Sequence, residues 1–514
     1  MIGLIKAGRM PMFNTYQRWL VLAVLSFALL LVAIDMTVLY IALPTLTHAL
    51  GASTSEKLWI INMYPLVVAG LLLGAGTLGD RIGHQRLFVI GLVLFGAASL
   101  LAAFAPSSAL LILARGALGV GAAAMMPATL AIISLTFEDE RERGFAIGVW
   151  TAVASGGAAI GPLIGGALLE HFWWGSVFLI NVPIVLVALV LSLLLIRNMQ
   201  QANAGPWDLL GSLQAMVGLI SLAYLIKEFA KPEPSLVAAL GALAICAGFG
   251  WMFVRGQRKR GFPLIDLQIF RSPAFSSAVI ASLAAAGCLM GINLVLSQRL
   301  QLVVGLSPLE TGLYFLPLSV GAIVAGPLSG WLLPKVRCDR FLVLALLIYA
   351  GAIGLFMYSF SQSVALQLLL LFVMGACVGA SMTGASTTIM ASAPPERAGM
   401  AASAEEISYE LGGGLGIAFM GSLMSVVYSR SLVVPEQAAD AARLQDGIDS
   451  ALAAAAQMPA PLGQEIAVNA RLAFDQAVSS VMMATVGVLV VIALLVFVNF
   501  RRYSTVSAEQ QVSS

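Results

Sequence analysis

The sequence predicts an all-α membrane protein whose helices cross the bilayer fourteen times. Of its 514 residues, 60% are hydrophobic and only 10% are charged, whereas soluble domains contain about 25% charged residues. The apolar residues form fourteen stretches of the length needed for a membrane-spanning helix, about 20 residues each. This composition excludes a soluble protein with a single membrane anchor.

Basic residues fall mainly in alternate connecting segments, which indicates the orientation of the chain. Nineteen Lys and Arg residues lie on the side of the N-terminus and five lie on the other side. Because cytoplasmic loops carry the excess of Lys and Arg, both termini are predicted to be cytoplasmic. The first apolar stretch, residues 19–44, is too long for a signal peptide, so we expect it to be retained. Met12 is an alternative start. The approximate centres of the predicted spans are residues 30, 67, 96, 120, 156, 186, 218, 245, 287, 322, 350, 378, 415 and 489.

Two similar segments lie about 250 residues apart and indicate an internal repeat. The sequence LTFEDERERGFAIGVW after the fourth span parallels MASAPPERAGMAASAEE after the twelfth. Membrane proteins built from two similar six-helix bundles leave repeats of this kind. The predicted divisions are a cytoplasmic N-terminus (1–18), a six-helix bundle (19–200), two additional helices (201–254), a cytoplasmic linker (255–274), a second six-helix bundle (275–500) with an extracytoplasmic helical hairpin (429–477), and a cytoplasmic tail (501–514).

The sequence does not support several kinds of chemistry. No Gly-Lys pair occurs, so the chain lacks a P-loop for ATP. The 4 cysteines are scattered, and 3 histidines are too few for a His-rich metal site. No nucleophile and base are spaced for catalysis. We therefore expect no enzymatic activity, no metal and no cofactor.

A short charged turn between the second and third spans resembles a known family motif. Residues 76–86 read GTLGDRIGHQR. Charged residues so close to a membrane need partners, and the glycines allow close backbone approach. The segment resembles the pattern G-x-L-x-D-R-x-G-[RK]-[RK] of the major facilitator superfamily, although His84 and Gln85 replace the usual basic pair. The resemblance implies a gating motif formed by Gly76, Asp80, Arg81, Gly83 and Arg86.

Two further motifs strengthen this resemblance. Arg115 lies within the fourth span in RGALGVGAAA, which resembles the R-x-x-x-G-x-G motif associated with proton coupling. The alternative is that its side chain reaches a nearby interface. The fifth span contains GAAIGPLIGG, which resembles the antiporter motif typical of exporters and permits tight helix contact. The residues of this motif are Gly157, Gly161, Pro162, Gly165 and Gly166.

Acidic residues inside predicted spans are candidates for function. Asp35 lies in a segment that resembles D-x-T-[IV]-[VL]-x-x-A-[LM]-P, the first-span signature of fourteen-span drug:proton antiporters. Glu405, Glu406 and Glu410 lie in the thirteenth span without a neighbouring cation. The alternatives are a structural polar contact for Asp35 and solvation at the cytoplasmic end for the glutamates. The residues expected to take part in proton coupling are Asp35, Arg115, Glu405, Glu406 and Glu410.

Carboxylates and aromatic faces are the groups that bind a lipophilic cation. Residues 59–64 resemble the W-[IV]-x-D-[IM]-Y segment of quaternary-ammonium and methyl-viologen efflux pumps, but Asn62 replaces the aspartate. One recognition carboxylate is therefore missing, which argues against dicationic substrates but not against monovalent ones. The predicted substrate-binding residues are Asp35, Trp59, Asn62, Tyr64, Tyr314, Glu406, Tyr409 and Glu410.

The resemblance covers nearly the whole chain and is greatest to the fourteen-span drug:proton antiporter branch, in particular to methyl-viologen and quaternary-ammonium efflux pumps. It implies a multidrug antiporter of the bacterial inner (cytoplasmic) membrane that is driven by the proton gradient. The implied partners are small lipophilic cations (quaternary ammonium compounds, dyes and biguanide-type antiseptics), protons and membrane lipid, without nucleic acid. A monomer is expected to be the functional unit.

Two alternatives remain open from the sequence. The protein could export an endogenous metabolite or lipid, which the apolar tenth span and Asn62 favour slightly. It could instead be a membrane sensor or scaffold, although the intramembrane carboxylates and Arg115 argue against that class.

Overall fold

Helices are the only regular secondary structure in the residues that the computed structural model describes, which are 15–137, 140–196, 208–229, 234–259, 269–392, 398–435 and 441–512. Residues 1–14 of the predicted N-terminus and residues 260–268 of the predicted linker lie outside this described part. The α-helices are α1 (Thr15–Leu50), α2 (Thr54–Ile82), α3 (His84–Ala103), α4 (Ser108–Thr136), α5 (Glu140–His171), α6 (Ser176–Leu179), α7 (Asn181–Leu195), α8 (Leu209–Phe229), α9 (Leu236–Lys259), α10 (Pro273–Gln298), α11 (Pro308–Leu332), α12 (Cys338–Tyr358), α13 (Val364–Ser392), α14 (Ala398–Ser431), α15 (Ala441–Asp446), α16 (Ile448–Ala455) and α17 (Ala460–Val512).

Within the described chain, 12 helical segments are long and apolar enough to cross a membrane. α6 and α7 together form one of these segments, Ser176–Leu195. In addition, α2 and α5 contain 29 and 32 residues and stand at the positions of the second and fifth predicted spans. The predicted all-α membrane fold is confirmed, and the long helices of the described residues follow the predicted order.

Local sequence signals set where the helices begin. Ser53 accepts a hydrogen bond from the backbone N–H of Glu56, and the Glu56 carboxylate accepts one from the backbone N–H of Ser53, so that α2 starts with a capping box. Ser307 and Glu310 form the same arrangement at the start of α11. Such pairs satisfy the backbone donors that a helix leaves unpaired at its N-terminus.

The buried apolar side chains form two main clusters. The first consists mainly of residues from α1–α7, among them Phe88 and Phe178. The second consists mainly of residues from α10–α17, among them Tyr349 and Phe474. Because contiguous clusters of this kind mark separately packed units, we call α1–α7 the N-half and α10–α17 the C-half.

The helix α8 contacts both halves and also packs on α9. A third, small cluster joins Leu66 of α2, Ala223 of α8 and Ala418 of α14. Gly70 of α2 lies so close to Met216 of α8 that a Cβ at this glycine would overlap the methionine. α8 therefore covers the seam at which α2 meets α14.

Residues 429–477, predicted as a helical hairpin, are joined to the last span. α14 continues to Ser431, and the two short helices α15 and α16 lie beyond it. The returning arm is the first part of α17, which runs without interruption from Ala460 to Val512. We call the end of the bundle that carries α15 and α16 the hairpin end, and the other end the opposite end.

Glycines allow α10 and α14 to touch backbone to backbone. A Cβ on Gly416 would overlap the Cα of Gly287, and a Cβ on Gly412 would overlap the carbonyl of Leu283. In lipid, where apolar burial drives helix association only weakly, close approach at small residues supplies the packing contacts. The core of the C-half therefore depends on these glycines.

We expect Gly416→Val to lower the stability of the protein, because overpacking costs about 1–3 kcal/mol or more when a backbone must move. The measurements are the yield of monodisperse protein in detergent and its Tm. Gly248→Val is the matched control, since a Cβ at this exposed glycine of α9 meets nothing within 4 Å. Equal yields and Tm values for the two variants would contradict this role of the contact.

Candidate functional site

A cavity lies between the N-half and the C-half in the middle of the bundle. Its empty volume is about 330 Å³, including the part that is open to solvent. α1, α2 and α4 line it on one side, and α10 and α14 line it on the other. The space that the centre of a water molecule can occupy is only about 20 Å³, so a drug-sized ligand fits only when the lining residues move apart. The polar, aromatic and thioether groups of its lining are Met36, Tyr40, Tyr64, Arg115, Met290, Tyr409 and Glu410.

A buried ion pair stands beside this cavity. Nη1 of Arg115 lies 2.6 Å from Oδ2 of Asp35, and the two residues are 2% and 0% exposed. Nε of Arg115 also donates to the carbonyl of Ile60 at 3.2 Å, and its guanidinium lies over the Tyr64 ring, 4.6 Å from the centroid. Arg115 is thus satisfied inside the bundle, as the burial of a charge requires.

Asn181 of α7, which is not among the predicted site residues, completes the surroundings of Asp35. Its Nδ2 donates to Oδ1 of Asp35 at 3.0 Å and lies within 3.2 Å of Oγ of Ser99. All three residues are fully buried. The sequence signal that could have identified Asn181 is a single amide in the apolar stretch of α7, where a polar side chain needs a partner. Both oxygens of Asp35 therefore accept hydrogen bonds.

Glu410 is the acidic side chain that lines the cavity. It is buried, and its Oε2 has no hydrogen-bond partner among the described residues. Nearby, the hydroxyl of Tyr40 donates to Sδ of Met290 at 3.3 Å and so links the two halves. In contrast to Asp35, Glu410 retains an oxygen that can bind a proton or a cation.

The other two glutamates of α14 lie nearer the opposite end and do not line the cavity. Oγ of Ser386 donates to Oε2 of Glu405 at 3.0 Å. Glu406 is half-buried and precedes Glu410 by one helical turn, so the two side chains share a face of the helix. The three carboxylates therefore extend from the cavity towards the opposite end.

Trp59 and Tyr314 lie away from the cavity. The Trp59 ring faces α8, where its centroid is 3.8 Å from Nζ of Lys227. The hydroxyl of Tyr314 is hydrogen-bonded to Gln367 of α13, inside the C-half. Neither aromatic ring is positioned to contact a molecule in the cavity in this conformation.

Asn62 lies at the seam between the halves rather than in the cavity lining. It is fully buried, and neither amide atom has a hydrogen-bond partner among the described residues. Leu58 and Leu66, one turn to either side, lie against Gly421 and Gly414 of α14. Since residues four apart share a helix face, Asn62 also faces α14.

The turn of the predicted gating motif requires a glycine. Gly83 joins α2 to α3 with a φ of 98°, a conformation that a Cβ disfavours. Arg81 and Arg86 are exposed, and a Cβ on Gly76 would meet nothing within 4 Å. The side chain of Asp80 lies outside the described residues.

The small residues of the fifth-span motif pack α5 between α1 and α11. Three glycines of the motif face α1, namely Gly157, Gly161 and Gly165. A Cβ on any of them would overlap a side chain of that helix. Gly166 lies against the backbone of Leu309, and the carbonyl of Pro162 lies against Gly312. The motif therefore serves both the packing of the N-half and its contact with the C-half.

Polar contacts between the halves close the hairpin end. Lys57 of α2 is buried and forms an ion pair with Asp449 of α16, and its Nζ donates to Oε1 of Gln298 in α10 at 2.9 Å. The Thr54 hydroxyl donates to the carbonyl of Asp446. The start of α2 is thereby joined to three helices of the C-half, α10, α15 and α16.

Comparison with known proteins gives consistent results. A family model described as Major Facilitator Superfamily matches residues 25–417. The methyl viologen resistance protein SmvA of Salmonella typhimurium strain LT2 is 41% identical over 466 residues, which cover 89% of this chain and 93% of SmvA. The multidrug efflux pump LfrA of Mycolicibacterium smegmatis is 37% identical over 492 residues, which cover 95% of this chain and 97% of LfrA.

A solved structure has the same fold. It is a crystal structure of a bacterial homologue of the human lysosomal transporter Spinster in an inward-facing, unoccupied conformation, with a TM-score of 0.67 over 95% of this chain and 98% of that chain. At 19% identity this likeness concerns the fold alone. The family model, the two relatives and the arrangement of the helices show that the chain belongs to the major facilitator superfamily of membrane transporters.

Proposed function

We propose that this protein is a proton-coupled multidrug efflux antiporter that exports lipophilic cations across the bacterial inner membrane by alternating access. The observation that carries the proposal is Glu410, a buried carboxylate with an unbonded oxygen in a cavity between the two halves. The names of the relatives, a methyl viologen resistance protein and a multidrug efflux pump, support the same substrate class. In this proposal the opposite end and both termini are cytoplasmic, and the hairpin end faces outwards.

The cavity suits a cation with apolar substituents. The tyrosine rings of Tyr40, Tyr64 and Tyr409 lie on its wall, and an aromatic face attracts a desolvated cation by about 2 kcal/mol. The thioethers of Met36 and Met290 are flexible and polarizable, so they adapt to ligands of different shape. These groups favour a broad range of quaternary ammonium compounds and dyes over one specific metabolite.

The charge balance of the cavity favours monovalent substrates. Asp35 is already neutralised by Arg115, which leaves Glu410 as the acidic group available to a ligand at the cavity wall. A single substrate charge, or a single proton, compensates this carboxylate. Asn62 adds no second negative charge.

Competition for Glu410 would couple substrate export to proton entry. An uncompensated carboxylate in an apolar site is costly, so Glu410 holds either a cation or a proton. A proton from outside replaces the drug when the hairpin end is open, and a drug from the cytoplasm replaces the proton when the opposite end is open. Glu405 and Glu406 extend this path of carboxylates towards the cytoplasm.

The contacts between the halves support the alternating-access step of the proposal. The ion pair of Lys57 with Asp449 and the packing of Gly166 on Leu309 hold the hairpin end closed, which corresponds to an inward-facing state. These contacts must separate when the protein opens outwards. The loop around Gly83 would then hold the cytoplasmic ends of the halves together.

We expect Asp35→Asn to abolish proton-coupled export, because Arg115 loses its counter-ion and the site loses its charge balance. Removing one partner of a buried ion pair also costs about 3–5 kcal/mol of stability. The assay uses everted membrane vesicles with a pH gradient and measures how far ethidium or a benzalkonium cation collapses it. Wild-type collapse in this variant would overturn the role of Asp35.

The double variant Asp35→Asn/Arg115→Gln separates coupling from folding. It removes both charges, so we expect its Tm to recover towards the wild-type value while gradient collapse remains absent. Recovery of transport together with stability would mean that the ion pair is only structural.

We expect Glu410→Gln to weaken the binding of a monovalent cation about tenfold or more, which corresponds to about 1.4 kcal/mol. Wild-type binding should weaken as pH falls, since protons compete for the carboxylate, whereas binding to the variant should not depend on pH. Equilibrium binding of ethidium to purified protein measures both effects. Glu170→Gln, at an exposed position of α5, is the control and should behave as wild type.

We expect a disulfide between the halves at the hairpin end to block transport. The variant Thr54→Cys/Gly447→Cys, made in a chain whose four native cysteines are replaced, should cross-link on mild oxidation, because a Cβ on Gly447 would lie 3.9 Å from the Cβ of Thr54, a separation that a disulfide can bridge. Gradient collapse by ethidium should disappear on oxidation and return on reduction. Thr54→Cys alone is the control. Transport at the wild-type rate by the cross-linked protein would show that this end need not open.

A further inference from the structure

Lys227 of α8 is a buried cation that the transport mechanism does not use. It is only 5% exposed, and its Nζ has no hydrogen-bond partner within the described residues. Its nearest described partner is the Trp59 ring, whose centroid lies 3.8 Å from Nζ. A ring face compensates an ammonium only in part, by about 2 kcal/mol.

The acidic neighbour of Lys227 in sequence is engaged elsewhere. The Glu228 carboxylate accepts a hydrogen bond from the backbone N–H of Ser235, just before α9, at 3.0 Å. A cation in an apolar setting needs an anionic or strongly accepting partner, and the protein surface around Lys227 contributes none among its described residues.

The packing of α8 on α2 places Lys227 near one end of the bundle. Gly70 of α2 lies against Met216 of α8. Trp59 lies 11 residues before Gly70 in α2, and Lys227 lies 11 residues after Met216 in α8. Since α2 and α8 run antiparallel, Trp59 and Lys227 lie at the same level, close to the hairpin ends of both helices. In the orientation proposed above, this is the headgroup level of the outer leaflet.

The lipid-facing side of this site has the composition of a membrane interface. Tyr224 and Phe229, on the same helix as Lys227, are 37% and 60% exposed, and aromatic residues concentrate where the bilayer meets water. A lysine has a flexible four-carbon stem, so its amine can turn from the Trp59 ring to a group at the helix surface.

We propose that Lys227 and Trp59 form a binding site for the phosphate of an anionic phospholipid in the outer leaflet. The amine donates to the phosphate, Trp59 and Tyr224 border the glycerol region, and the acyl chains lie along α8. Because α8 covers the seam between α2 and α14, a lipid bound here holds α8 on both halves and favours the state in which the hairpin end is closed.

Native mass spectrometry of the purified, delipidated full chain tests this site without a transport assay. Phosphatidylglycerol, phosphatidylethanolamine and inorganic phosphate are added separately to wild type, Lys227→Met, Lys227→Arg and Lys259→Met. Lys227→Met keeps an apolar stem over Trp59, and Lys259→Met removes the same charge from the exposed opposite end of α9.

We expect wild type, Lys227→Arg and Lys259→Met to retain phosphatidylglycerol, and Lys227→Met to retain it at least about fivefold less, a factor that corresponds to about 1 kcal/mol. Retention of phosphatidylglycerol no greater than that of phosphatidylethanolamine in wild type would overturn the proposal. Equal retention by Lys227→Met and Lys259→Met would overturn it as well. Binding of inorganic phosphate without a preference for phosphatidylglycerol would assign the site to a free anion instead.

Discussion

The balance of charge inside an apolar bundle is the constraint on which the rest of this structure depends. An arginine in the fourth helix is tolerated because Asp35 meets it at 2.6 Å and the Ile60 carbonyl accepts a hydrogen bond from its Nε–H. Asn181 and Arg115 together occupy both oxygens of Asp35. Four helices of the N-half are therefore fixed around one neutral group. Glu410, on the facing half, lines the cavity with an oxygen that no described residue bonds.

Small residues determine how the two halves meet. In α5, one set of glycines packs on α1 and another part of the same motif meets α11, so a single helix belongs to the N-half and forms the boundary with the C-half. In the C-half, α10 and α14 make backbone contact at Gly287 and Gly416. The contacts of Gly166 with Leu309 and of Gly312 with Pro162, by contrast, join the two halves without long interlocking side chains. Contacts of this kind can separate and re-form at little cost in packing.

Much of the fold was predictable from sequence, because hydrophobic length and loop charge are strong signals in membrane proteins. The functional site was less predictable from sequence than the fold. Sequence identified Asp35, Arg115 and Glu410 as costly charges but could not pair the first two, since the pair joins helices 80 residues apart in sequence. Asn181 and Met290 were not predicted, because neither carries a charge and neither lies in one of the motifs that resemble the family. Trp59 was predicted to face the substrate, although helical periodicity alone does not tell which neighbour an aromatic residue will meet.

The continuity of α17 gives the last span the mechanical properties of a lever. Its 53 residues make a rod about 80 Å long at about 1.5 Å per residue, far longer than a hydrocarbon core of about 30 Å. A tilt of a few degrees about a pivot in the membrane therefore displaces the tip of the rod at Ala460 by several ångströms. α16 packs on this tip and carries Asp449, so a small rotation in the C-half is amplified at the point where Lys57 is bound.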